Sequence, residues 1–168
     1  MSSQRRRQKG FNLVELIITM CIGSVLASIA IAQMRDFTRR AKVSEVVLAT
    51  TGCKNSVAEN YLLLESAPAP GSWGCEGGTG RSKYAGAVQT SSDGVIRVAI
   101  NNLDGLVNGQ FVYLVPMKAD GTTPMTTPAD FGRNVRRWLC GSDWQPVRNA
   151  LPADCRNDTT GFSSQDFN

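Results

Sequence analysis

The feature that most constrains this chain is the run "FNLVELIITMCIGSVLASIAIA" at residues 11–32, which is 22 residues long and holds one ionisable group, Glu15. A helix needs about 20 mostly apolar residues to cross a bilayer, so the run predicts a membrane span. Arg5, Arg6, Arg7 and Lys9 precede it with no acidic residue among them. Flanking cations stay on the cytoplasmic side, which puts this leader inside and everything after Ala32 outside. A secretory signal peptide is the alternative, because "AIA" before Gln33 mimics a small-residue cleavage site. Against it, the apolar core of such a peptide is about 7–15 residues long and carries no acid near its start. A lipoprotein signal fits less well, since Thr19 and Met20 precede Cys21 where small residues are needed. A charge at the centre of a spanning helix costs roughly 2.5–3.5 kcal/mol, and less near an end. Glu15 is therefore either an interfacial group reaching for water or a functional one.

Charge and residue usage narrow the function classes. The formal charge of +4 equals the four leader cations, so the chain beyond Gly10 is neutral. Binding of nucleic acid would then rest on a local patch, of which Arg133, Arg136 and Arg137 before Trp138 are the candidate, rather than on an overall field. With no histidine in the chain, His-dependent triads and His metal sites are excluded. Asp93, Asp104, Asp120, Asp130 and Asp143 are the acids an enzyme would use, yet they sit mostly beside glycine or in turns, where aspartate satisfies the local backbone. Neither a catalytic group nor a cofactor or metal site is expected. Cys53, Cys75, Cys140 and Cys155 lie beyond the apolar run, with no C-x-x-C among them. Disulfides in an oxidising compartment are the better reading, and four cysteines allow three pairings.

No proline or glycine cluster interrupts residues 11–64, apart from Gly23 and Gly52, which predicts one continuous helix of about 80 Å. Val43, Val47, Thr50, Val57, Tyr61 and Leu64 form its packing stripe, with charged residues off that line. A Pro/Gly/Ser-rich loop containing Cys75 follows. Strand candidates then occupy residues 84–90, 94–101, 110–117 and 134–140, and "SSDG" before Val95 marks a hairpin because Gly94 can take positive φ. The order, one long helix and then several strands, predicts an α+β fold with a four-stranded antiparallel sheet packed on the helix.

The string "KGFNLVELI" resembles the class III signal of type IV prepilins: a short basic leader ending in glycine, a phenylalanine, and a glutamate as the fifth residue of the mature chain. The resemblance implies cleavage between Gly10 and Phe11 by a membrane-embedded prepilin peptidase, N-methylation of Phe11, and an assembly role for Phe11 and Glu15. The new ammonium group of one subunit would be neutralised by Glu15 of the next, where low dielectric strengthens the attraction and sets register.

"RRAKVSEVVLATTGCKNSVAENYL" is similar to the post-membrane helix of major pilins, and "WLCGSDWQPVRNALPADCRND" resembles the C-terminal loop of type IVa pilins. In that family the two cysteines of this loop pair, which implies Cys140 with Cys155 and leaves Cys53 with Cys75. The implied organisation is a leader at 1–10, a membrane and filament-core helix at 11–32, and an amphipathic helix at 33–65. A loop at 66–83, an antiparallel sheet at 84–140 and a disulfide-bounded region with its tail at 141–168 complete it.

The implied function is that of a structural subunit of an extracellular type IV pilus, held in the inner membrane before assembly, in a family that serves adhesion, twitching motility or DNA uptake. Implied partners are sister subunits, the peptidase, an assembly platform and minor pilins, with DNA unsupported by the net charge. Minor pilins, secretion pseudopilins and a secreted binding module are the alternatives; a pseudopilin usually carries a calcium site where this chain has Cys140 and Cys155. Two departures from the family pattern stand out. Alanine occupies position 32, where members usually have a proline, and Cys21 is unusual, expected as a small buried apolar group.

Overall fold

The computed structural model describes residues 10–77 and 82–167. The leader cations Arg5, Arg6, Arg7 and Lys9 and residues 78–81 of the predicted loop lie outside the described residues. The chain divides into two compact units, Met1–Phe37 and Thr38–Asn168.

The predicted long helix is present over Leu13–Leu63, interrupted at one residue that divides it into α1 (Leu13–Ala49) and α2 (Thr51–Leu63). The break is local to Thr50. Its hydroxyl donates to the Val47 carbonyl at 2.6 Å and its amide reaches the same carbonyl at 3.2 Å. The three-residue reach of the amide tightens that turn; the hydroxyl bond follows it and does not by itself break a helix, since Thr19, Ser24 and Ser28 make the same bond inside α1. Helical bonding resumes when the Lys54 N–H donates to the Thr50 carbonyl. No break occurs at Ala32, which lies inside α1. The predicted stripe is mostly core: Val43, Thr50, Val57 and Tyr61 are buried, whereas Val47 and Leu64 are half-buried and Val46 and Cys53 take buried positions beside them.

The sheet has five strands in the order β1 (Ala85–Thr90), β2 (Ile96–Ile100), β3 (Phe111–Met117), β4 (Arg137–Ser142) and β5 (Asn157–Asp158). The first four are antiparallel as predicted, but β5 adds a parallel pair beside β4, so the sheet is mixed. Gly141 permits that addition: a Cβ there would collide with the backbone carbonyl of Asn157. The Asn157 amide then donates to the Cys140 carbonyl at 2.8 Å. Pro116, inside β3, has no N–H to offer, and it is tolerated because β2 pairs only as far as Leu114. Its carbonyl accepts the Met125 N–H at 2.8 Å instead.

Alternation along the strands gives the sheet two apolar faces. Val88, Ile96, Val98, Ile100, Val112 and Leu114 join the main core with Val43, Val46, Val57 and Tyr61 of the helices. Val95, Tyr113, Val115 and Met117 form the opposite face, covered by Phe162 and Phe167 of the tail. Arg97 reinforces this cover, with its guanidinium 4.7 Å from the Phe111 ring and 4.1 Å from the Phe167 ring. The hairpin forms where "SSDG" predicts it: Gly94 has φ 70° and donates to the Ser91 carbonyl at 3.0 Å.

Candidate assembly site

In the first unit, the described residues from Gly10 to Phe37 are all exposed. Phe11 is 74% exposed, Val25 61% and Phe37 75%, a density of uncovered apolar side chains that water does not tolerate on a free surface. The segment has the length and composition of a membrane-crossing helix. Its polar groups are satisfied locally: the hydroxyls of Thr19, Ser24 and Ser28 donate to the carbonyls three residues before them at 2.7–2.9 Å. The surface therefore stays apolar despite three hydroxyls.

Gly10 and Phe11 precede α1 without regular structure, and Glu15 stands in its first turn. An acid there complements the positive end of the helix dipole. The carboxylate is exposed and belongs to no ion pair among the described residues. Cys21, expected as a small buried group, is a free and exposed thiol on the same helix. Its exposure is shared by every described residue of the first unit.

Two disulfides shape the second unit. Cys53–Cys75 spans 22 residues and ties the loop after α2 back to that helix. Sequence pattern placed Trp73 in this loop without a role; it is 1% exposed, donates from its indole to the Ser91 carbonyl at 2.8 Å, and lies 5.3 Å from the Tyr61 ring. Glu76 anchors the same loop by accepting the N–H groups of Trp73 and Cys75 at 2.7 and 3.0 Å and the hydroxyl of Thr90. Partial burial by itself would raise the pKa of Glu76, but those donors outweigh it and hold the carboxyl below its ordinary value. A depressed carboxylate stabilises the fold above its unfolded pKa, and that stability is lost as pH falls through the folded value. Glu76→Gln is therefore expected to lower stability at neutral pH and to flatten the acid limb of a thermal-midpoint curve below the ordinary carboxylate range. An unchanged acid limb in the variant would remove this role.

Cys140–Cys155 spans 15 residues and encloses α3 (Gln145–Ala150). Val147, Ala150 and Leu151 are buried beneath it. Arg148 donates to the carbonyls of Ser142 and Asp143 at 2.9 and 3.0 Å, and the indole of Trp144 donates to the Leu106 carbonyl at 3.1 Å. The loop is thus fixed from within while Trp144 remains 49% exposed.

The five aspartates do not converge on a catalytic pair. Asp93 accepts the Thr127 N–H at 2.8 Å, and Asp104 takes the Leu106 N–H and the Arg39 guanidinium. Asp120 accepts from Thr123 and Thr122, whose hydrogen bonds draw its pKa down to about 2. Asp143 only approaches the Ser142 hydroxyl at 3.5 Å. Asp130 fills the turn role expected for it by accepting the Thr126 N–H at 2.9 Å, and in addition its side chain is 3% exposed and ion-pairs with Lys118 at 3.0 Å. Among the described residues no cluster of three or more metal-ligating side chains forms.

Two family matches cover most of the chain. The prokaryotic N-terminal methylation motif matches residues 5–31, and the pilin family, bacterial filament proteins, matches residues 39–156. Among similar proteins, a fimbrial protein of Neisseria meningitidis is 33% identical over 90% of this chain and 78% of its own length. The type IV major pilin protein PilE of Neisseria gonorrhoeae is 33% identical over 92% and 85% respectively. The fimbrial protein EcpC of Eikenella corrodens is 29% identical over 91% and 94%.

Proposed function

Because the chain belongs to the pilin family of bacterial filament proteins, we propose that it is made as a prepilin, cut between Gly10 and Phe11, methylated on the new terminal Phe11, and polymerised as the main subunit of a type IV pilus. Its class is structural rather than enzymatic, a filament subunit of the pilus. The observation that carries the processing and assembly reading is an apolar helical surface exposed throughout the described residues of the first unit, with one acid four residues beyond Phe11. Lipid covers such a surface before assembly and sister helices cover it afterwards. Removal of the leader places an ammonium group on Phe11, and Glu15 of an adjacent subunit neutralises it as the helices pack. That pairing favours one axial stagger over slipped ones, because every other stagger leaves two charges unpaired in apolar surroundings.

In this reading, residues 1–10 are a cytoplasmic leader and residues 11–32 hold the precursor in the inner membrane. The second unit, from Thr38, lies outside and becomes the filament surface. The peptidase, an assembly platform and minor pilins are the partners the processing route requires. Relatives named as major pilins favour the main subunit over a minor one. The filament would serve adhesion, twitching motility or DNA uptake.

The test is intact mass and N-terminal sequencing of protein sheared from the cell surface, with and without reductant. A chain beginning at methylated Phe11, with two disulfides and one free thiol, is the expected result. A chain beginning at Gln33 would mean release by an ordinary signal peptidase and would end the filament reading.

A further inference from the structure

Where β3 ends and β4 begins, an open cleft of about 410 Å³ is lined by Lys118, Met125, Gly132, Arg133, Asn134 and Arg136. Its lining contains three cations and no carboxylate. Met125 borders it but is 2% exposed and belongs to the core.

The three cations are not equivalent. Asp130 holds Lys118 at 3.0 Å, while Arg133 stands 3.9 Å from the other carboxylate oxygen with its side chain 69% exposed. One buried carboxylate therefore balances the lysine, and the charges of Arg133 and Arg136 are left largely uncompensated. Arg136 is exposed and makes no ion pair among the described residues.

The backbone that carries them is fixed. The Gly132 N–H donates to the Tyr61 carbonyl at 2.8 Å, the Asp130 N–H to the Thr126 carbonyl at 3.1 Å and the Arg136 N–H to the Met117 carbonyl at 3.4 Å. Two guanidinium groups on an anchored loop match a planar oxyanion, since each presents paired donors in a fork that fits carboxylate geometry. The cleft lies within the size range of small-molecule sites, large enough for one or two sugar rings and too small for a folded partner.

We propose that this cleft binds the carboxylate of an acidic saccharide, such as a uronic acid unit, between Arg133 and Arg136, with the Asn134 amide facing ring hydroxyls. Duplex DNA is a poorer occupant. It carries a charge about every 1.7 Å and is held by a track of cations, whereas the chain beyond Gly10 is neutral and the cleft is lined by only three cations, one of them held by Asp130. A single acidic group on a polar ring fits both the charge and the volume.

The experiment uses the full chain purified in detergent, titrated separately with glucuronate, glucose, inorganic phosphate and a short DNA duplex. Saturable binding of glucuronate but not glucose is expected, weakened by salt. In Arg133→Gln/Arg136→Gln, and in Arg136→Gln alone, affinity should fall about tenfold or more, the loss expected for one charge-assisted hydrogen bond. Both side chains are exposed, so an unchanged thermal midpoint checks that the variants are folded.

Equal responses to glucuronate and glucose, or no loss in the variants, would overturn the proposal. Tighter arginine-dependent binding of phosphate or DNA would overturn the saccharide assignment in favour of a phosphate ligand. Because the titration needs no filament, its failure leaves the filament reading standing, and a failure to find filaments leaves the cleft untouched.

Discussion

Glu15→Gln is expected to leave cleavage and membrane insertion intact while surface filament falls by well over tenfold. The substitution keeps the shape and removes the charge, so in the proposed pairing the terminal ammonium of the adjacent subunit would be left unpaired in apolar surroundings. Breaking a buried pair by deleting one partner costs roughly 3–5 kcal/mol, and in a polymer that cost recurs at every added subunit. Glu15→Asp should fall between, because the charge survives but its reach shortens. The measurement is the ratio of sheared filament to processed subunit remaining in the membrane, by immunoblot against the wild type. Undiminished filament from the glutamine variant would show that register is set elsewhere on the helix. Accumulation of uncut precursor would instead assign Glu15 to processing, and the same blot separates the two by size.

The disulfide pair Cys140→Ser/Cys155→Ser should show the next clear loss. Closing a 15-residue loop contributes about 3 kcal/mol in the chain-entropy model, which for a chain of this size corresponds to a drop in Tm on the order of 10 °C. The effect should exceed that of simple loop loosening. The chain returns to the sheet at Cys155, immediately before β5, whose parallel pairing places Asn157 beside Gly141. Hydrogen exchange at residues 157–159 is therefore expected to rise in the variant, together with exposure of Val147 and Leu151. A Tm change of less than a few degrees, with protected β5 amides, would show that packing of α3 alone closes the loop.

Several parts of the fold are legible in the sequence because they repeat a period. The apolar run at residues 11–32 is recognisable by length, and the alternation of Ile96, Val98 and Ile100 marks the inner face of β2. The glycine of "SSDG" fixes the hairpin through a backbone angle that few other residues adopt. Other parts lack any period to read. β5 is two residues long and exists because a disulfide loop brings it back to a glycine. The break at Thr50 depends on one backbone amide reaching three residues back instead of four. Trp73 lies in a stretch of proline, glycine and serine that suggests exposure, and its burial follows from contacts with Tyr61 and the Ser91 carbonyl, far away in sequence.

The candidate assembly site divides in the same way. Gly10, Phe11 and Glu15 form a contiguous motif and could be recognised from the string itself. The cysteine pairing could not be chosen from spacing, which leaves three possibilities, and needed the resemblance to a family. Glu76 and the Lys118–Asp130 pair were missed because their importance comes from donors and burial that spacing does not encode. A carboxylate one residue after Cys75, in a loop otherwise poor in charge, was the available signal for Glu76.

The Arg97 clamp bears on how this protein can be handled. Phe167 rests on a guanidinium that is also hydrogen-bonded to Gln89 of β1, and residue 167 forms a bridge with Ser91. The carboxy-terminal tail is thus stitched to the first two strands, at the opposite edge of the sheet from β5. A label or fusion that disturbs Phe167 would act on this stitch, so a reporter attached there changes the object it is meant to report on.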